Sequence, residues 1–255
     1  MKIQHTLFGL LFVAALFSCT KETPTPTPDP VVPEKSTVQL KFDHVWGPSM
    51  GAFALNQALV HPSTTDEITF TTLNYYVSNI KLQKADGSSY VQPESYHLVR
   101  LQGGAMVDLT LSDIPVGDYT GITFTIGVDS TRNVSGVQEG ALSPSNGMFW
   151  SWNTGYIFVK AEGTSPQSSN GQFTYHLGGF SGANNAIRTV SLPFNGDLRV
   201  RKNAEPSIHF NVNAARFWHG GIRIADLSRV HMPGANAATL ATNFQGAFSV
   251  DHLHN

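Results

Sequence analysis

The chain has 255 residues, with 16 Lys and Arg against 18 Asp and Glu and a formal net charge of −2. That mild acidity, without a single Lys/Arg run, excludes the basic surface on which nucleic-acid binders rely. No apolar stretch reaches the roughly twenty residues that a membrane-spanning helix needs.

The N-terminus reads as an export signal. Lys2 supplies a charge, and Leu7 to Phe17 forms an apolar run of about eleven residues, too short to span a bilayer but suited to a secretory signal. It ends at Leu16-Phe17-Ser18-Cys19, which resembles a bacterial lipobox: Leu three before the Cys and a small residue directly before it. The expectation is a signal peptide over 1–18 and a lipid on Cys19. That residue is the only cysteine in the sequence, so it has no intramolecular disulfide partner. A Thr/Pro-rich linker over 19–36 follows, with prolines at 24, 26, 28, 30 and 33. Alternating Thr-Pro favours extended polyproline II and acts as a semi-rigid spacer. Lys21-Glu22 resembles the charged signals that send lipoproteins to the outer face of the outer membrane. Lipid anchoring in the bacterial outer membrane is therefore expected, with the periplasmic and surface faces both open.

Residues 37–255 read as one all-β domain. Val38, Leu40, Phe42, His44 and Trp46 share one parity and so one strand face. Further strand patterns are Leu73 to Leu82, Tyr96 to Leu101, Met106 to Leu111 and Asp118 to Val128. Gly155 to Ala161, Gln172 to Leu177, Ile187 to Phe194, Leu198 to Arg201, Ser207 to Val212 and Ala247 to Leu253 complete the series. Strands at this spacing with Gly, Asn and Pro turns predict an antiparallel β-sandwich with long loops. Asn213 to Trp218 and Gly234 to Gln245 are Ala-rich enough for short helices.

Of the ten histidines, His5 falls in the expected signal peptide and the other nine are candidates for chemistry. His252 and His254 alternate in SVDHLHN, so unbroken strand geometry places both on the face of Phe248 and Val250. Two imidazoles on one face chelate an ion, and imidazole suits copper and zinc; a polar C-terminal tail is the bland alternative. His44 shares the face of Phe42 and Trp46 and is a satisfied core residue or a ligand. His176 has the opposite parity from Phe173, Tyr175 and Leu177. His61, His97, His209, His219 and His231 have no partner in sequence and read as ordinary histidines. Gly179-Phe180-Ser181-Gly182-Ala183 is one residue off a nucleophile elbow, but that motif needs a strand-to-helix turn and the flanks give strand and glycine turn.

Gly127 to Gly163 is richer than an ordinary strand. Trp150, Trp152, Tyr156 and Phe158 share one parity, as in an aromatic strand walling a core or pocket. The segment combines Gly127-Val128, Asn133, Leu142-Ser143-Pro144, Met148-Phe149-Trp150-Ser151-Trp152 and Gly155-Tyr156-Ile157-Phe158. With LNYYVSNIKL upstream, Tyr175-His176-Leu177-Gly178 and the closing SVDHLHN, it resembles the MbnP-like copper-binding domain, lipoprotein branch, over nearly all of 37–255. The resemblance implies a β-sandwich that holds copper with histidines near a tryptophan that some members convert to kynurenine, in some systems through a di-haem peroxidase-like partner. It makes His176 the first choice as ligand and matches Trp150 and Trp152 to the Trp-x-Trp positions; His44-x-Trp46 has the His-x-Trp spacing of some copper-binding relatives. The cysteine that follows His-Leu-Gly in many relatives is missing, so their disulfide cannot form here.

Three functions follow for test. The first is a non-enzymatic, envelope-anchored lipoprotein that binds copper (zinc is the second ion imidazole suits) through two or three imidazoles drawn from His44, His176, His252 and His254. Trp46, Trp150, Trp152 and Tyr156 are then the modified or pocket aromatics. The second is a metal-free adhesive sandwich that stacks a sugar or protein partner on the aromatic strand. The third is a hydrolase using Ser181.

Overall fold

Alternation along the first strand decides which way the domain faces. β1 (Lys35–Trp46) buries Val38, Leu40, Phe42 and His44 and turns Gln39, Lys41 and Asp43 to the wetter face. The computed structural model describes residues 34–150 and 155–255. The expected signal peptide, Cys19, almost all of the linker and Trp152 lie outside the described residues. β1 begins ahead of the expected domain start at Thr37.

The longer strands that follow are β2 (Glu67–Gln83), β3 (Tyr96–Arg100), β4 (Met106–Pro115), β5 (Gly117–Ile126), β6 (Val159–Thr164), β7 (Gln172–Leu177), β8 (Arg188–Val200), β9 (Ser207–Asn213) and β10 (Phe248–His254). One sheet runs β10-β9-β1, with β4 also paired to β1; the other runs β8-β5-β2-β6-β7, with β3 also on β2. Pairing is antiparallel except between β1 and β9 and between β7 and the short strand Arg229–Val230. Parallel neighbours need a long crossover, and β1 and β9 are separated in sequence by the whole of the second sheet's longer strands. The result is the expected all-β sandwich.

The two inner faces meet through aromatic side chains. Phe42 stacks on its register partner Phe210 at 4.9 Å and meets Phe124 and Tyr75 of the other sheet edge-on at 6.4 and 6.3 Å. Such pairs add about 0.5–1.5 kcal/mol each to what burial already contributes. Two short α-helices, α1 (Ser130–Asn133) and α2 (Ala235–Gln245), accompany the sheets. The latter fills one end of the core with Leu240 and Phe244, and Phe244 stacks on Phe217 at 4.6 Å. The Ala-rich segment at Ala214–Trp218 forms a 3₁₀ turn.

Two sequence patterns fold differently from expectation. The aromatic stretch is not one strand: Phe149–Trp150 pairs back on Gly155–Tyr156 as a small hairpin, and β6 begins only at Val159. Ile157 N–H donates to Met148 O while Phe158 N–H donates to Leu177 O, so the chain changes partners between these residues. Conversely, the segments expected as two strands over 187–201 form the single strand β8, irregular against β5 between Pro193 and Leu198.

Candidate metal centre

The register of the last strand builds the site. β10 pairs antiparallel with β9, placing Phe248 opposite Val212 and Val250 opposite Phe210, all toward the core. The ladder then slips: His252 lies opposite His209 and His254 opposite Ser207, leaving Asp251 as the extra residue of a β-bulge. A one-residue slip exchanges the two faces of everything beyond it. Leu253 therefore turns inward opposite Ile208, and His252 and His254 turn out to solvent. The expectation that both share the face of Phe248 and Val250 is thus reversed by the bulge.

Outside, the two histidines meet a third. In β9, Ile208, Phe210 and Val212 are buried, so His209 points the other way, onto the same outer face. His209, His252 and His254 offer one ring nitrogen each within 4.8 Å of one another, the only such cluster among the described residues. His252 and His254 present their Nε2 atoms to each other at 3.1 Å. The His209 and His252 rings stack at 4.2 Å and 22°, and Ser207 Oγ lies 3.1 Å from His209 Nε2.

The bulge residue orients the pair. His252 Nδ1–H donates to Asp251 Oδ2 at 2.6 Å, and Asn211 Nδ2 donates to Asp251 Oδ1 at 3.1 Å. With the His252 proton on Nδ1, its Nε2 lone pair accepts from His254 Nε2–H. A carboxylate behind an imidazole is the usual support of a metal-binding histidine, since it sets the tautomer and raises ligand basicity. The hydrogen bond from His252 holds the Asp251 carboxyl below its ordinary value against the opposing effect of burial. His209 is shifted down by burial first, then by the neighbouring imidazoles and Lys41, in the direction of the neutral ring that metal binding needs.

The other expected ligands lie elsewhere. His44 points from β1 into the core, the opposite face from Lys41, and is 1% exposed. Its Nδ1–H donates to Ala105 O and Tyr75 O–H donates to its Nε2 at 3.2 Å, so both ring nitrogens are engaged; burial drives its pKa down to about 4. His176 faces outward on β7, as its parity predicts, with Nε2 2.6 Å from Glu162 Oε1. It lines a cleft of about 380 Å³ with Trp150, Arg229 and His231 on the other sheet. The structure brings His252 and His254 together with His209 and leaves His44 and His176 apart from them. His209 escaped sequence reading because its partners lie some forty positions away and only strand pairing reveals them.

The aromatic motif is largely a packing device. Trp46 is 8% exposed, donates Nε1–H to Val60 O and packs edge-on against His61, Phe70 and Trp218. Trp150 is 5% exposed, and a Cβ on Gly178 would come within 2.6 Å of its ring. Tyr156 is buried, its O–H donating to Leu142 O and its N–H to Asn133 Oδ1. Gly127 adopts φ +114°, and a Cβ there would meet the Phe158 ring at 2.8 Å. The described motif residues thus knit one loop to the sheet. Ser181 sits on an exposed bend between β7 and β8, not on a strand-to-helix turn.

A family model described as MbnP matches residues 35–233. The chain belongs to the MbnP family. Among solved structures, MbnP from Methylosinus trichosporium is similar at 15% identity with a TM-score of 0.48, over 79% of this chain and 82% of that one. No curated protein matches. The MbnP match takes in His44, His176 and His209 and ends before His252 and His254.

Proposed function

We propose that this MbnP-family chain is a lipoprotein of the bacterial envelope that binds copper as cargo, for acquisition, storage or handling, and that His209, His252 and His254 hold it. The cluster itself carries the reading: three imidazoles converge on one exposed spot, one of them fixed by an aspartate that is fixed in turn by Asn211. Imidazole donors suit copper and zinc, and copper(II) binds more tightly at a given nitrogen site. The protein's part is binding rather than catalysis. Cys19 and the Thr-Pro segment support an anchor that holds the domain off the outer membrane. A di-haem peroxidase-like partner belongs to the same proposal and is read out as a mass gain on a tryptophan after co-expression.

Copper titration of the full chain tests this. The wild type binds copper, the His209→Ala/His252→Ala/His254→Ala variant loses it, and His176→Ala keeps it. Loss on His176→Ala with the triad variant unaffected would overturn the assignment. In cells, Cys19→Ser moves the protein out of the membrane fraction; retention there would overturn the anchor.

A further inference from the structure

A guanidinium is always charged and carries five donors, so an arginine drawn into a fold shows at once whether its hydrogens have partners. Four arginines among the described residues are half-buried, and three of them are satisfied. Arg100 donates to Asn146 O, Arg132 to Glu94 and Gln138, and Arg188 to three main-chain carbonyls and Thr242. Arg216 is the exception. Its Nε is buried without an acceptor, and its terminal amino groups have no partner among the described residues. Withdrawing a charge from water without a partner is costly. We propose that Arg216 anchors an anion-binding cleft at the Asn213 end of β9, and that its ligand is a small organic carboxylate.

The cleft has a volume of about 230 Å³ and no Asp or Glu among its lining residues. Asp66, the carboxylate whose charge reaches His61, is buried on Arg223 and Ile224 N–H. The donors along the cleft are Arg216, the exposed His219 ring and the turn Gly220-Gly221. Neither glycine N–H has a protein acceptor among the described residues. Both glycines are left-handed, at φ +79° and +81°, and no side chain covers their amides.

The frame around these donors is fixed by groups that are themselves satisfied. Asn213 Oδ1 accepts from Gly47 N–H and Ala215 N–H, and its Nδ2 donates back to Gly47 O. Asn243 of α2 donates to Phe217 O and His219 O. Gly246 makes room for the guanidinium, since a Cβ there would lie 2.8 Å from Arg216 Nη2. Arg216 thus sits at the C-terminal end of α2, whose dipole steadies its charge while leaving its terminal hydrogens unused. A preformed site of this kind loses little to ordering when it binds.

The guanidinium fork matches the two oxygens of a carboxylate. The volume is below the roughly 300 Å³ at which drug-sized pockets begin, which limits the ligand to a few heavy atoms. Pro48 and Pro62 give apolar flanks to a carbon body, which a bare phosphate does not have. The histidine cluster includes Ser207's neighbour His209 at the other end of β9, so this cleft is read out without copper.

The test titrates the metal-free full chain with acetate, benzoate and inorganic phosphate at constant ionic strength, followed by amide resonances and Tm. The expected result is a saturable shift of the Gly220 and Gly221 amides with a carboxylate, and a Tm that rises with its concentration. Arg216→Gln weakens binding about 10–100-fold, and Arg216→Lys, which keeps the charge but not the fork, weakens it less. His219→Ala, a change on an exposed side chain, also weakens it and serves if Arg216→Gln fails to fold. Absence of a saturable shift at the two glycine amides, or unchanged affinity in Arg216→Gln, would overturn the proposal. Saturation by phosphate with neither carboxylate bound would overturn the ligand class.

Discussion

Acidification from pH 7 to 4 is expected to weaken the fold through His44. The ring is buried and neutral, with a folded pKa of about 4 against 6.5 in the unfolded chain. Below pH 6.5 the unfolded chain takes up a proton that the folded chain refuses until about pH 4. Stability fully present above 6.5 is therefore lost progressively across that window. At about 1.4 kcal/mol per pKa unit the loss comes to about 3 kcal/mol, a large share of the roughly 5–15 kcal/mol that a domain has. His61 and His97, both lowered by burial, act in the same direction. Urea denaturation of wild type and His44→Leu at pH 7, 5.5 and 4 isolates the term. The variant leaves Tyr75 O–H and Ala105 O without their partner and starts about 1–3 kcal/mol less stable, but it has no ring to titrate. The two stabilities therefore converge as pH falls. Parallel curves would refute the reasoning.

Three other changes probe the frame. Gly127→Ala forces a side chain into a left-handed backbone and against the Phe158 ring; a loss of about 2–3 kcal/mol in chemical denaturation is expected. Asp66 is fully buried, accepting from Arg223 Nε and Nη2 and from Ile224 N–H. Asp66→Ala should cost about 3 kcal/mol, seen as a lowered Tm; it sits at the low end because the Arg223 side chain is half-exposed. Deleting Asp251 removes the bulge, returns His252 and His254 to the inner face, and should abolish copper binding with every ligand still in the chain.

Alternation made the sandwich legible. Val38, Leu40 and Phe42, or Ile122, Phe124 and Ile126, declare their face without help from the rest of the chain, and the Ala-rich stretch at Gly234 announced α2. Sequence parity failed where the ladder breaks its own rule. Nothing local in SVDHLHN signals a bulge at Asp251, since the slip is set by how β9 and β10 pair. His209 was invisible for the same reason: its role comes from a neighbour strand. His44 reads from its parity as a core residue or a ligand, and the structure gives it a core setting with Ala105 O and Tyr75 O–H as partners. The spaced glycines and aromatics of the MbnP motif identified the family, while those among the described residues, such as Gly127, Trp150 and Tyr156, pack in the structure.

Anomalous diffraction at the copper edge from crystals of the copper-loaded protein bears most directly on the central claim. The account predicts a peak about 2 Å from Nε2 of both His252 and His254, with a His209 ring nitrogen turned toward it and no peak at His44. A peak in the cleft at His176 beside Trp150, with none at the triad, would contradict it.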